Sequence, residues 1–260
     1  MKNSDKSLSY DALKSEFIKT LTSVDQSKRT YEVFQDFVFF SAACLRNSVG
    51  AIDKSFMDMD VENEYITRMK KYELLKSRQA FTKLLALLVE MHTAKGLPFD
   101  VLGAIYMELE IANQHLGQYY TPSSVSDVMA NMTLQNFQNV VEQQGFLTLS
   151  DPASGSGATL LSCVKLFIEN NYKVENTLYI EATDIDRHAA LMCYVQLTLW
   201  AVPCKIFVGN SLTMEMRECW CSFMYFVKGW QLKINRFMSE QSKKSGVNYV
   251  PNFILIDSET

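Results

Sequence analysis

Phe146-Leu147-Thr148-Leu149-Ser150-Asp151-Pro152-Ala153-Ser154-Gly155-Ser156-Gly157, running into Ala158 to Glu169, is the stretch whose reading decides the fold. A short apolar run ends in an acidic residue, a Gly-Ser-Gly turn follows, and a helical pattern begins at once. That is the start of a βαβ unit. Downstream, Thr177 to Ala182 reads as a second strand and Asp186 to Trp200 as a helix; Cys204 to Val208 and Asn252 to Ile256 read as a third and a fourth strand. Strands alternating with helices imply a parallel sheet, so the expected class is α/β: a partial doubly wound, Rossmann-like sheet. Glycines let a ligand approach the backbone closely, and the helix start behind them offers N–H groups. Asp151, however, suits a cationic group rather than a phosphate. Neither GxGxxG nor GK[ST] is present. The residues therefore favour the amino-acid end of S-adenosylmethionine over a dinucleotide, although a Gly-Ser-Gly turn alone is as often a plain loop.

Working outward, Asp184-Ile185-Asp186 follows the second strand. A carboxylate there can accept both hydroxyls of a ribose, and one of the two aspartates is expected to cap the next helix. Gly209-Asn210-Ser211-Leu212 follows the third strand, where an adenine ring would be met. Before the sheet the chain reads as helical. Leu13, Phe17, Leu21 and Val24 recur at helical spacing, and Tyr31 to Leu45 is dense in apolar and aromatic residues. A helix is expected over 61–77, a buried one over Phe81 to Met91, and another capped by Asp100 and stopped at Gly117. The expected division is a helical domain over 1–115 and a truncated cofactor-binding domain over 116–260. Residues 239–249 read as a mobile loop. Cys219 to Trp230, rich in aromatics, could fold over an open sheet edge or belong to the core, and core is the better expectation.

Composition narrows the function. Of 260 residues, 48% are hydrophobic and 21% charged, which fits a packed globular chain. Lys plus Arg total 25 against 29 Asp plus Glu, a net charge of −4. A chain that grips nucleic acid by its own charge would be basic, so action on DNA calls for a local groove or a partner. The start, MKNSDKSLSY, has no signal-peptide core, and no apolar stretch reaches membrane-spanning length. Six scattered cysteines and three histidines form no zinc ligand set, which fits free thiols in a cytoplasmic protein.

Gly117-Gln118-Tyr119-Tyr120-Thr121-Pro122, followed by Asp151-Pro152-Ala153-Ser154-Gly155-Ser156-Gly157, resembles the adenine-N6 DNA methyltransferases, in particular the modification subunits of type I restriction systems. The lead-in Asp100-Val101-Leu102-Gly103 resembles the helix ahead of that segment there, and the likeness spans roughly residues 100–212. It implies S-adenosylmethionine as cofactor. Tyr120 and Thr121 would line its methionine end, with Asp151, Pro152, Ala153, Gly155 and Gly157 beneath. Asp184 would hold the ribose and Asn210 the adenine, where the family usually has Asp. It also implies DNA as substrate, with a specificity partner and possible homo-oligomers. The family's catalytic Asn/Asp-Pro-Pro-Phe/Tyr should follow the fourth strand. Here Asp257-Ser258-Glu259-Thr260 stands there, so Asp257 alone is of a compatible type. Three readings follow: an adenine-N6 DNA methyltransferase or divergent relative, a catalytically inactive cofactor-binding module with a regulatory role, and a methyltransferase for another substrate.

Overall fold

The structure, a computed structural model, describes residues 8–111, 123–245 and 254–256. The N-terminal part is helical: α1 (Tyr10–Ser23), α2 (Thr30–Asn47), α3 (Met59–Met69), α4 (Leu75–Lys95) and α5 (Val101–Ile111). Two further helices, α6 (Ser123–Thr133) and α7 (Phe137–Gln144), lead to β1 (Leu147–Asp151) and α8 (Ala158–Glu169). The short α9 (Val174–Thr177) precedes β2 (Leu178–Asp184); then come α10 (Arg187–Leu199), β3 (Cys204–Asn210) and β4 (Glu215–Cys221). The chain continues through α11 (Phe223–Val227) and α12 (Trp230–Ser245) to β5 (Ile254–Leu255).

The sheet order is β4-β3-β2-β1-β5. β1 pairs in parallel with β2 on one side and β5 on the other, β2 with β3 likewise, and β4 runs antiparallel to β3. The α/β class and the reversal of strand order about β1 are as expected. The strand count is not: five strands are present among the described residues rather than four. The unexpected β4 buries only Trp220 fully and exposes Glu215, Met216, Arg217 and Cys219. An edge strand covered on one face carries too weak an alternation to stand out. β4 pairs with β3 and is itself the edge of the sheet on that side. Trp220, Tyr225 and Trp230 are buried, as the core expectation has it.

Successive side chains of β2 point to opposite faces, and both faces are covered. Leu178, Ile180 and Ala182 join the main core with α8 and α10, while Tyr179 faces the other way, against Phe146, Tyr225 and Trp230 under α12. The main core is continuous from Leu13 to Ile256. Its bridge is α2, in which Val33, Phe34, Phe37, Val38, Phe39 and Phe40 are all buried, so the helix is covered almost all round and packs on α10. Two expected elements change. The helix over 61–77 is broken, ending at Met69 and resuming at Leu75, because buried Tyr72 turns inward to donate to Asp36 Oδ2 at 2.8 Å. The expected loop over 239–249 is helical as far as Ser245, because Trp230, Ile234, Phe237 and Met238 give α12 an apolar stripe against the sheet; 246–249 lie outside the described residues. The expected stop at Gly117 lies outside them too.

Ion pairs fasten the helical part to the sheet. Arg187, at the start of α10, binds Glu64 of α3 through both terminal nitrogens, at 2.9 and 2.8 Å, and Glu218 of β4 at 2.8 Å. Arg68 bridges Glu64 at 2.7 Å and Asp36 of α2 at 2.9 Å. Both guanidinium groups lie over the ring of Phe39, at 4.4 Å for Arg68 and 5.1 Å for Arg187.

Candidate functional site

Parallel pairing brings three polar side chains to one rim. Asp151 ends β1, Asp184 ends β2 and Asn210 ends β3. Asp151 lies level with Ala182, and Asp184 with Val208, so the strand ends step along the same side of the sheet. This is also where the strand order reverses, with β2 and β5 on opposite sides of β1. Open α/β sheets hold their ligands in that crevice.

The turn between β1 and α8 has the expected conformation. Gly155 has φ 54° and Gly157 φ 90°, in the left-handed region that glycine enters freely. A Cβ on Gly157 would lie 2.8 Å from Cys193 Sγ, so that glycine also lets α10 approach. A Cβ on Gly155 would meet nothing within 4 Å, so space opens beside the turn. Pro152 and Ala153 are exposed on its rim.

Four N–H groups of the turn are spent inside the protein. Ala153 donates to Asp151 Oδ1 at 3.0 Å and Ser154 to the Thr183 carbonyl at 3.0 Å. Gly155 donates to Asp184 Oδ2 at 2.7 Å and Gly157 to the Ser154 carbonyl at 2.8 Å. A phosphate loop needs such donors free and aimed outward. What this rim presents instead is acceptors. Asp151 is 2% exposed; burial pushes its carboxyl up to about 7, with the nearby Asp184 charge adding to the rise against the Ala153 N–H. Burial likewise raises Asp184, whose Oδ1 accepts from the Asp186 N–H at 2.8 Å. Of the two aspartates it is Asp186 that caps α10, accepting from His188 N–H at 2.9 Å. A buried carboxyl that resists ionisation is satisfied by an incoming cation, and Asp184 can accept hydroxyls. The donor-rich ligand expected from the sequence, with an ammonium group and a ribose, therefore fits these residues.

Asn210 stands at the expected place, but its Oδ1 already accepts from Leu212 N–H at 2.9 Å and Thr213 N–H at 3.2 Å. Tyr120, Thr121 and Asp257 lie outside the described residues. A cavity of about 490 Å³ between α5, α6 and α8 includes Asp100, Gly103, Ser123 and Lys165 in its walls, and none of Asp151, Asp184 or Asn210. The strand-end rim, where Asp151, Asp184 and Asn210 meet, is thus the candidate site. Sequence reading passed over Gln196 and Ser156, which bond to each other and to Asp100 beside the turn. A lone Gln inside the apolar run of α10 marks the position as unusual, though not what it bonds.

The sequence pattern of a family described as N-6 DNA Methylase matches residues 99–252. Among solved structures, the chain is similar to a Listeria monocytogenes protein assigned to the class I S-adenosylmethionine-dependent methyltransferases, at 13% identity and a TM-score of 0.45, over 78% of this chain and 55% of that one. It is also similar to a type I restriction-modification methyltransferase subunit from Streptococcus thermophilus, at 14% identity and a TM-score of 0.41, over 80% of this chain and 60% of that one. A modification subunit from Vibrio vulnificus, assigned to a type I restriction enzyme, is 21% identical with a TM-score of 0.37, over 53% and 28% of the two chains. The chain thus spans 55% and 60% of the first two structures' lengths. No curated protein matches it.

Proposed function

Since the chain belongs to the N-6 DNA methylase family, we propose that it binds S-adenosylmethionine at the strand-end rim and serves methyl transfer to the N6 amino group of adenine in DNA. The observation that carries this reading is the pair of carboxyls Asp151 and Asp184, with Asn210 beside them, around a turn four of whose N–H groups are spent. In it Asp151 pairs with the methionine ammonium above Pro152 and Ala153, and Gly155 leaves room for the ligand. Gly157 keeps the turn against α10, and Asp184 accepts the ribose hydroxyls. Because the oxygen of Asn210 is held by backbone N–H groups, its amide nitrogen is the group that would meet the adenine ring as a donor. Tyr120 and Thr121 complete the methionine end. When bound, the cofactor supplies an electrophilic methyl group. The target base must leave the DNA stack to reach it.

The setting is restriction-modification, in the cytoplasm, with a specificity subunit supplying DNA grip that a chain of net charge −4 lacks. In this reading 1–115 is the helical part and 116–260 the cofactor-binding part, and one core runs through both. A second reading, a binding module without chemistry, is favoured by one observation. Asp257-Ser258-Glu259-Thr260 follows the β5 segment where the family carries two prolines and an aromatic residue.

Two measurements decide. Calorimetric titration with S-adenosylmethionine gives binding in the native chain and none in Gly155→Trp, which fills the open space beside the turn. Transfer of tritiated methyl groups to unmethylated DNA, with and without a specificity subunit, gives counts for the enzyme. Binding without counts leaves the module, and no binding overturns the cofactor assignment.

A further inference from the structure

Six hydrogen bonds join the start of α5 to the Gly-rich turn, and none uses a group assigned above to the ligand. Asp100 Oδ1 accepts from Gly103 N–H at 2.8 Å and from Gln196 Nε2 at 2.8 Å, while Oδ2 accepts from the Ser156 hydroxyl. Gln196 Oε1 accepts from Val101 N–H at 2.8 Å and Leu102 N–H at 3.1 Å, and its Nε2 also donates to the Ser156 carbonyl at 3.0 Å. The first three N–H groups of α5, which the helix itself cannot satisfy, are thus taken up by two side chains that also hold the turn. Gln196 is 0% exposed and uses both ends of its amide. Gly103 makes the contact possible: a Cβ there would collide with Asp100 Oδ2 and lie 2.6 Å from Ser156 Oγ.

Ser156 sits between Gly155 and Gly157, so fixing both its hydroxyl and its carbonyl constrains the two most permissive residues of the turn. We infer that Asp100, Gln196 and Ser156 are positioning residues for the cofactor pocket: helix α5 sets the conformation of the turn at 154–157 before any ligand arrives. The inference rests on the cofactor reading of the turn. It adds that affinity is held by residues that never touch the ligand, because a turn already in its bound shape spares the ordering cost of binding.

The test uses the full chain and two measurements. Hydrogen exchange is followed in the ligand-free protein at the Gly155 and Gly157 amides, and S-adenosylmethionine affinity is taken by calorimetry. In Ser156→Ala and Asp100→Ala, exchange at both glycines speeds by about tenfold or more, and affinity falls about ten- to hundredfold. The Leu149 and Ile180 amides in the strands exchange as in the native chain. Asp100→Asn, which keeps the acceptor for Gly103 and can pair with the Ser156 hydroxyl in the reverse sense, restores both readouts. Ser156→Ala removes a single hydroxyl and carries the test if Asp100→Ala fails to fold. Unchanged exchange at Gly155 and Gly157, or exchange that rises equally in the strands, overturns the inference. Absence of binding in the native chain overturns the cofactor reading, while the exchange result still decides whether α5 holds the turn.

Discussion

Replacing Asp151 by Asn tests the electrostatics of the site at its centre. The carboxyl is 2% exposed and titrates near 7 in the folded chain, against a usual 3.8. At about 1.4 kcal/mol per pH unit, keeping it ionised costs the fold about 4 kcal/mol at pH 8. The sign follows from proton counting. Between pH 4 and 7 the folded chain holds a proton that the unfolded chain has released, so native stability falls as pH rises through that window and levels off above it. Asn cannot ionise, and its side-chain oxygen still accepts from Ala153 N–H. Any penalty for its added amide donors is the same at every pH, so the pH-dependent part isolates the carboxyl. Urea unfolding of both proteins at half-unit steps from pH 5 to 8.5 should show the stability difference, Asp151→Asn minus native, climbing by about 3 kcal/mol and flattening above pH 7. A difference independent of pH, or one falling with pH, refutes the reasoning. The same carboxyl must be ionised to pair with an ammonium group, so S-adenosylmethionine affinity in the native chain should rise from pH 6 to 8. In the Asp151→Asn variant it should be weak at every pH.

Three further outcomes are expected. Arg187→Ala leaves Glu64 and Glu218 half-buried without their shared partner and should cost about 2 kcal/mol in urea unfolding, below the value for a fully buried pair. Gly157→Ala should cost about 1–3 kcal/mol, from φ 90° and the Cys193 contact together, whereas Gly155→Ala, with only φ 54° against it, should cost about 1 kcal/mol; thermal melts rank the two. Trp230→Ala removes a fully buried ring packed on Tyr179 and Phe146; a loss of about 3–5 kcal/mol and early proteolysis within α12 would bear this out.

The parts legible in the sequence were those where one pattern had one cause. The β1–turn–α8 unit was read almost to the residue because apolar run, glycines and helix follow each other directly, and α8 spans Ala158–Glu169 as expected. The positions of Asp184 and Asn210 at strand ends were legible because strand ends in a parallel sheet must coincide. Elements whose stability comes from one covered face were missed. β4 shows a lone buried Trp220 among exposed and half-buried residues, and the lysines and serines at the end of α12 hide the stripe that starts at Trp230. The role of Gln196 was illegible for a different reason. Its partners are a turn 40 residues away and a helix start 96 residues away, and no local pattern carries such a contact.

The wrapping of α2 by α10 also bears on how the chain must be made. Helices up to Lys95 leave a ribosome long before residues 187–221 exist, yet Phe39, which Arg68 of α3 overlies, gains the rest of its cover only when Arg187 and Trp220 arrive. Until then the emerging N-terminal half carries an uncovered aromatic face, a long-range closure of the kind that slows folding and invites aggregation. Yield in the cell should therefore depend on chaperone supply during synthesis more than on the stability of the finished protein.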